Sequence, residues 1–293
     1  MTISSRNRAA EGDFLSSRTP ETVARAASSV LDRLCKTWLT RAAVRNPNYD
    51  DESAARFVPE LHDFPPELLP FNDHPTYVAL DEPIHRRVQA LAWVAWNRRV
   101  VETEELVVCR ALLALMNGET DIARLRRPGH SYRSLLAATA DSREAWESDI
   151  ARLTWAVVGE LSIYEFLTIV SNDERIQPGA RVLLELHERD EAAHASLIAQ
   201  VMRGHFHELG TQQRARFVDF LPHAMTSLSQ QDWVVWKDVL ELAGVDQAAA
   251  IVADVENAPD VADHVPLLRS YQRIASLCHD VDIDLPSLSR WKP

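Results

Sequence analysis

His187, Glu191 and His194 stand in one run, Leu184-Glu185-Leu186-His187-Glu188-Arg189-Asp190-Glu191-Ala192-Ala193-His194, at offsets of four and seven residues. A helix turns once in about 3.6 residues, so these offsets fall on one face, within an arc of roughly 60°. Two imidazoles and a carboxylate facing one way form a ligand set for iron or manganese, and equally for zinc. The last two members make Glu191-x-x-His194, the pair that helical bundles project inward to hold a dinuclear iron or manganese centre.

The elements that must position these residues are helices. Helical periodicity runs from about 142 to 171 and returns from about 180 to 209, with Ser171-Asn172-Asp173 and Gln177-Pro178-Gly179 between. This pattern predicts an antiparallel hairpin turning near Glu174. Glu160 lies 14 residues before that point, and His187 to His194 lie 13 to 20 after it. At about 1.5 Å of rise per residue the four side chains reach a similar depth. Glu160 has Leu153, Ala156, Val157, Ile163, Tyr164 and Leu167 as helical neighbours. A carboxylate on so apolar a face must be paired, protonated or metal-bound. Glu165 has Ser162, Thr168 and Asn172 beside it and ranks lower.

The same test separates the acids of Val101-Glu102-Thr103-Glu104-Glu105, on a helix expected from about His85 to Met116. Glu104 is flanked by Asn97, Val100, Val101, Val107, Val108 and Ala111, almost all apolar, so it is the expected buried member. Glu102, beside Arg98, Arg99 and Glu105, is expected on a solvated face, and Glu105 is intermediate. The competing account is scattered surface charge plus satisfied core histidines. Glu104 and Glu160 interrupt apolar stripes, and the cost of desolvating a charge weighs against it.

With these residues in place, Trp96-Asn97-x-Arg99-Val100-x-x-Thr103-Glu104, Trp146-Glu147-x-Asp149-Ile150-Ala151-x-Leu153-x-Trp155, Ile176-Gln177-Pro178 and His187-x-x-Asp190-Glu191-x-Ala193-His194 resemble the p-aminobenzoate N-oxygenase family. The likeness spans about residues 59 to 232. It implies an all-α, ferritin-like helical bundle with additional C-terminal helices, and an iron enzyme that oxidises an aryl amine towards a nitro group in natural-product biosynthesis. By this likeness Glu104 matches the first-helix ligand, Glu160 a later lone glutamate, and His187, Glu191 and His194 the final helix.

One departure bears on the metal. The family places a Glu-x-x-His helix between the counterparts of Glu104 and Glu160, and no such string occurs there in this chain. The only other one is Glu82-Pro83-Ile84-His85, which reads as a helix start, with Asp81 as a cap and Pro83 in the first turn. Glu144-x-x-Glu147 also sits at a helix start, where acids meet the dipole favourably. His130, after Pro128-Gly129, is a loop residue within reach of a vacant position. A dinuclear centre of this architecture uses two lone glutamates and two Glu-x-x-His pairs. Glu104, Glu160, His187, Glu191 and His194 suffice for one iron, and for two only if water, a loop or a partner chain contributes. A mononuclear site, a weak dinuclear one, a chain that no longer turns over and an incomplete sequence all remain open.

The rest of the chain sets bounds. Residues 1–20 are polar and aperiodic, an expected mobile segment, and 21–293 are expected to form a single helical domain. Thr211 to Ser227, with Thr211 as N-cap, and about 232 to 243 are expected helices on the outside of the bundle or at a dimer interface. Lys and Arg number 31 against 43 Asp and Glu, a net charge of −12 with dispersed acids, which argues against a nucleic-acid partner. The short basic patch Arg124, Arg126 and Arg127 reads as a solvated loop. No apolar stretch reads as a membrane span and no signal-peptide core is seen, and Cys35, Cys109 and Cys278 suit reduced thiols; a cytoplasmic homodimer is expected. Arg99 is a candidate for a substrate carboxylate, with pairing to Glu102 or Glu105 as its alternative. Tyr164 is a candidate for the pocket wall or the core, and Trp93 and Trp96 read as core.

The resemblance implies a small aromatic amine and dioxygen as partners, and the absence of Gly-x-Gly-x-x-Gly implies an external electron donor, a reductase or peroxide. The rival reading is a non-catalytic ferritin-like scaffold or regulatory partner. A zinc hydrolase is the third, without a residue placed as general base.

Overall fold

The computed structural model describes residues 33, 36, 56–107, 129–259, 261 and 271–284; side chains at 101, 103–107 and 165 lie outside that description. So do the 1–20 segment, Cys35, Cys109 and the Arg124, Arg126, Arg127 patch. The described helices of eight or more residues are α1 (Glu82–Val107), α2 (His130–Ala140), α3 (Ala145–Ser162), α4 (Tyr164–Ser171), α5 (Pro178–His205), α6 (Thr211–Ser229), α7 (Trp233–Ala243), α8 (Ala248–Glu256) and α9 (Gln272–Asp280). No strand occurs among the described residues, only an isolated bridge between His62 and Ile176. The expected all-α architecture is the one that forms.

α3 is the centre of this arrangement, touching α1, α2, α5, α6 and α9. Its apolar stripe explains this: Ala151, Val157 and Val158 are fully buried. Full burial of a Val or Leu side chain stabilises by about 1.5–3 kcal/mol. The stripe packs in one cluster with Ala195, Ala199 and Met202 of α5 and Phe217, Leu221 and Ala224 of α6. A second cluster joins α1 (Val88, Ala92) to α7 (Val239, Leu240), and a third joins α4 (Leu167, Val170) to the start of α5 (Leu184).

Several expectations need correction. The periodic run 142–171 is not one helix: it breaks at Ile163 between α3 and α4. Gly159 and Ser162 sit at the break, where the Ser162 hydroxyl donates to the Gly159 carbonyl (3.4 Å), a local competitor of the backbone ladder. The helices after the hairpin are not peripheral, since Phe217 and Leu221 of α6 and Val239 and Leu240 of α7 are at most 1% exposed. Thr211 is the first helical residue of α6, and Gly210 precedes it as cap; the Gly210 amide donates to Gln213 Oε1 at 2.8 Å. By length and hydropathy, 145–171 does reach membrane-span dimensions. Its most apolar window is 53% buried inside the protein and the stretch carries Glu160, so it is the core of the bundle.

Other local readings hold. The α4–α5 turn lies between Ser171 and Pro178, as the hairpin reading required. Glu147 caps the start of α3, accepting from the amides of Arg143 (2.6 Å) and Glu144 (3.4 Å). Gly244 ends α7 at φ 90°, a left-handed cap that lets the Val245 amide reach the Leu240 carbonyl at 3.0 Å.

Candidate metal centre

The break at Ile163 leaves Glu160 on the last turn of α3, facing the middle of α5. Ligand atoms of Glu160, Glu191 and His194 lie within 4.8 Å of one another. His194 Nδ1 is 3.5 Å from Glu160 Oε2 and 3.4 Å from Glu191 Oε1. Glu191 Oε1 accepts from His187 Nε2 at 3.0 Å. The carboxylates are well covered, with side-chain exposures of 14% for Glu160 and 4% for Glu191. The equal-depth reading of the hairpin is thereby realised for Glu160, Glu191 and His194.

The electrostatics show what this cluster lacks. Glu160 Oε2 and Glu191 Oε2 are buried without a hydrogen-bond partner. Orphaned carboxylate oxygens are costly unless a cation or donor meets them. Burial pushes the Glu160 carboxyl up to about 7, with the Glu191 charge adding to the rise. For Glu191 burial also pushes upward, but hydrogen bonds from His187, His194 and Glu160 outweigh it and hold the carboxyl near about 2. The two acids draw His194 up to about 10 against its own desolvation. Without metal the cluster therefore holds a proton where a cation fits. Two carboxylates and an imidazole, with His187 adjoining, suit one divalent cation.

His187 leans on an aromatic row. Its ring is 6.4 Å from Trp96, which stacks on Phe166 at 4.7 Å and on Trp93 at 5.8 Å. Glu104 lies on the last turns of α1, but its side chain falls outside the described residues, as does the 108–128 interval where the Glu-x-x-His helix is missing from the sequence.

The other candidates are placed elsewhere. His85 Nε2 hydrogen-bonds to the Tyr77 carbonyl at 2.8 Å, consistent with a helix start. His130 begins α2, where its amide donates to Asp232 Oδ2 at 2.6 Å, and it is not in the metal group. Tyr164 lies under the Arg273 guanidinium, 4.6 Å from the ring centroid. Arg99 Nη2 donates to Ser131 Oγ (3.0 Å) and the Leu228 carbonyl (3.4 Å); burial lowers its pKa despite Asp232 and Glu102 nearby. Glu102 is not on a solvated face: it is half-buried and accepts from the Gly129 amide at 2.8 Å, because Gly129 lies directly beside it.

Asp232 was invisible to sequence reasoning. At 6% exposure it holds the His130 amide and Arg133 (3.4 Å) from about 100 residues away, and no local spacing announces such a partnership. Glu188 was missed as well; it accepts from the hydroxyls of Thr168 (2.8 Å) and Ser171 (3.0 Å), tying α4 to α5.

A family model described as P-aminobenzoate N-oxygenase AurF matches residues 24–123 and 114–282. The chain belongs to the p-aminobenzoate N-oxygenase family. Its all-α structure is consistent with the ferritin-like bundle of that family. Among curated proteins, 4-aminobenzoate N-oxygenase of Streptomyces thioluteus is 30% identical over 311 positions, covering 91% of this chain and 92% of that protein. The alignment is longer than the 293-residue chain, so part of the relative has no counterpart here. The two matched stretches meet at 114–123, inside the interval that lacks Glu-x-x-His.

Proposed function

We infer that this member of the family is an iron-dependent N-oxygenase of a small aryl amine, with 4-aminobenzoate as the first substrate to test. Family membership supports the reaction class, and one observation supports its seat: Glu160, Glu191 and His194 converge with two orphaned carboxylate oxygens between α3 and α5. These three residues, with His187 and with Glu104 from α1, are the proposed iron ligands. The chemistry a bound iron supplies is the reduction of dioxygen, with electrons from an external reductase or from peroxide.

The chain's own part is ligation, orientation and exclusion of water. His187 would exchange its hydrogen bond to Glu191 for the metal, and the Trp96–Phe166 stack fixes its ring. Arg99 is the proposed carboxylate anchor. It lines a cavity of about 40 Å³ together with Ala156, one turn before Glu160 on α3. That space holds little more than a water or two, so an aromatic ring enters only when the lining side chains move. Tyr164 adjoins the break after Glu160 and is the proposed wall on the α9 side.

A non-catalytic scaffold is less well supported, because a scaffold has no use for two buried carboxylates crowded against His187 and His194 with an oxygen of each left without a hydrogen bond. The test is aerobic turnover of 4-aminobenzoate by ferrous-reconstituted protein with a reductant, followed by mass spectrometry with ¹⁸O₂. Label in a hydroxylamine, nitroso or nitro product is expected, and Glu191→Ala should abolish it while helical circular dichroism persists. A Glu191→Ala variant that kept the wild-type rate would refute the site. Iron per chain after anaerobic loading fixes the nuclearity: one per chain is the count the described cluster supports, and two requires ligands beyond it.

A further inference from the structure

The aromatic row beside His187 is made of rings that can do chemistry of their own. Trp96 of α1 lies 6.4 Å from the His187 imidazole between ring centroids, tilted by 60°. Trp93, three residues earlier and so on the same face of α1, stacks on Trp96 at 5.8 Å with the ring planes 16° apart. Both tryptophans are half-buried, so the row that starts at His187 also reaches solvent. His187 in turn donates to Glu191 at 3.0 Å, which joins the row to the carboxylate cluster.

Packing explains a stacked row, but packing does not ask for indoles. A phenyl ring stacks as well, and Phe166 does so on Trp96 at 4.7 Å. What an indole adds is an electron. Indole and phenol give up one electron to a strong oxidant, whereas a phenyl ring does not. Indole does not accept electrons from biological reductants, so the row is an exit for oxidising power and not the entry for reductase electrons. Two other rings stand near Glu160. Trp155, five residues before it, meets Phe220 at 6.0 Å. Tyr164 lies under the Arg273 guanidinium, whose charge opposes the loss of an electron from the ring.

We propose that Trp96 and Trp93 form an electron-supplying relay that, when no amine is bound, discharges an oxidising equivalent from the metal centre to a reductant at the protein surface. The relay rests on the iron site proposed above. With hydrogen peroxide as oxidant the step balances. Peroxide takes two electrons and two protons and becomes two waters. One electron comes from ferrous iron, which becomes ferric, and the other from Trp96. The Trp96 indole proton leaves with its electron, and the second proton comes from water. Trp93 then returns an electron and a proton to Trp96, and a one-electron donor such as ascorbate refills Trp93. The benefit is that His187 and its neighbours are spared oxidation.

The test uses full-length, ferrous-loaded protein whose iron has been counted, mixed with hydrogen peroxide without amine and freeze-quenched. Electron paramagnetic resonance is expected to show an organic radical, narrowed when the tryptophans carry deuterium on the indole. Trp96→Phe keeps a stacking ring and should lose this signal, and peptide mass spectrometry should then find oxygen added to His187. In Trp93→Phe the radical should form but decay more slowly on adding ascorbate. In the wild type without ascorbate, oxidised indole should map to Trp93 and Trp96 rather than to Trp146, Trp155, Trp233 or Trp236. An undiminished indole radical in Trp96→Phe would overturn the relay, as would a signal narrowed by deuterated tyrosine instead. Protein that holds iron and gives no radical overturns the relay alone, whereas protein that takes up no iron overturns the metal site and the relay with it. Should Trp96→Phe fail to fold, the wild-type oxidation map carries the same decision.

Discussion

Among the described residues, the buried polar clusters around Asp232 and around Glu160 and Glu191 are built on opposite principles. Around Asp232, charges and amides are cross-paired: Asp232 takes the His130 amide and Arg133, Glu102 takes the Gly129 amide, and Arg99 takes Ser131 and the Leu228 carbonyl. Around Glu160 and Glu191, two acids and two imidazoles crowd together, yet an oxygen of each acid has no hydrogen-bond partner. The first cluster is satisfied by protein alone and fastens the start of α2 to α1 and α6–α7. The second is paired with histidines but leaves an oxygen of each acid without a hydrogen bond. The first arrangement reads as scaffold, and the second, where acids and imidazoles converge, reads as a site.

The sharpest way to break this contrast is at Asp232. Asp232→Ala leaves Arg133 and the His130 amide without their acceptor and removes one of the two acids, with Glu102, whose charge acts on Arg99. Removing one partner of a buried ionic pair costs about 3–5 kcal/mol; Arg133 is partly exposed, so the lower end is expected. Urea unfolding of metal-free protein measures it, and a loss under about 1 kcal/mol would demote the cluster to surface pairing. Glu191→Ala should act the other way round. Metal affinity is expected to fall by at least about 100-fold, more than loss of an outer-sphere partner produces, while the helical signal is retained. Competition with a chromophoric chelator reads this directly.

The contrast also explains what the sequence could and could not reveal. Glu160, Glu191 and His194 were legible because their spacing is local and their surroundings apolar, and the hairpin brings equal depths together whatever else the chain does. Glu102 misled because its helical neighbours are charged; what buries it is Gly129, 27 residues away. Asp232 carried no signal for the same reason: its meaning lies in residues far along the chain. The break at Ile163 escaped because periodicity counts apolar positions and is blind to a hydroxyl that competes for a carbonyl. The place of α6 in the core was misjudged because an amphipathic pattern gives a buried face and not the surface it meets.

Gly129 offers a smaller test of the paired cluster. A Cβ at this position would sit 2.8 Å from Glu102 Oε2, closer than such contacts occur, although the backbone at φ −62° accepts any residue. Gly129→Ala must push the Glu102 carboxylate off the amide it holds. Overpacking of this kind costs about 1–3 kcal/mol, and the low end applies because a carboxylate end can swing. Chemical denaturation should show that loss, and a double variant with Glu102→Ala should recover part of it if the clash is the cause.

The smallest expected effect is the most discriminating. Glu160→Gln, in metal-free protein, replaces a buried carboxylate with a neutral side chain of the same size. Were this acid part of a completed network like that of Asp232, the change would cost several kcal/mol. Glu160 Oε2 makes no hydrogen bond and meets only His194, at 3.5 Å, and burial raises the pKa of this acid, so its ionised form gives the fold little support, and Glu191 remains to face His194. The unfolding free energy is therefore expected to shift by no more than about 1 kcal/mol in either direction, whereas metal affinity falls steeply. A large loss of stability without metal would show that the protein alone satisfies Glu160, and the cluster between α3 and α5 would then belong with the scaffold.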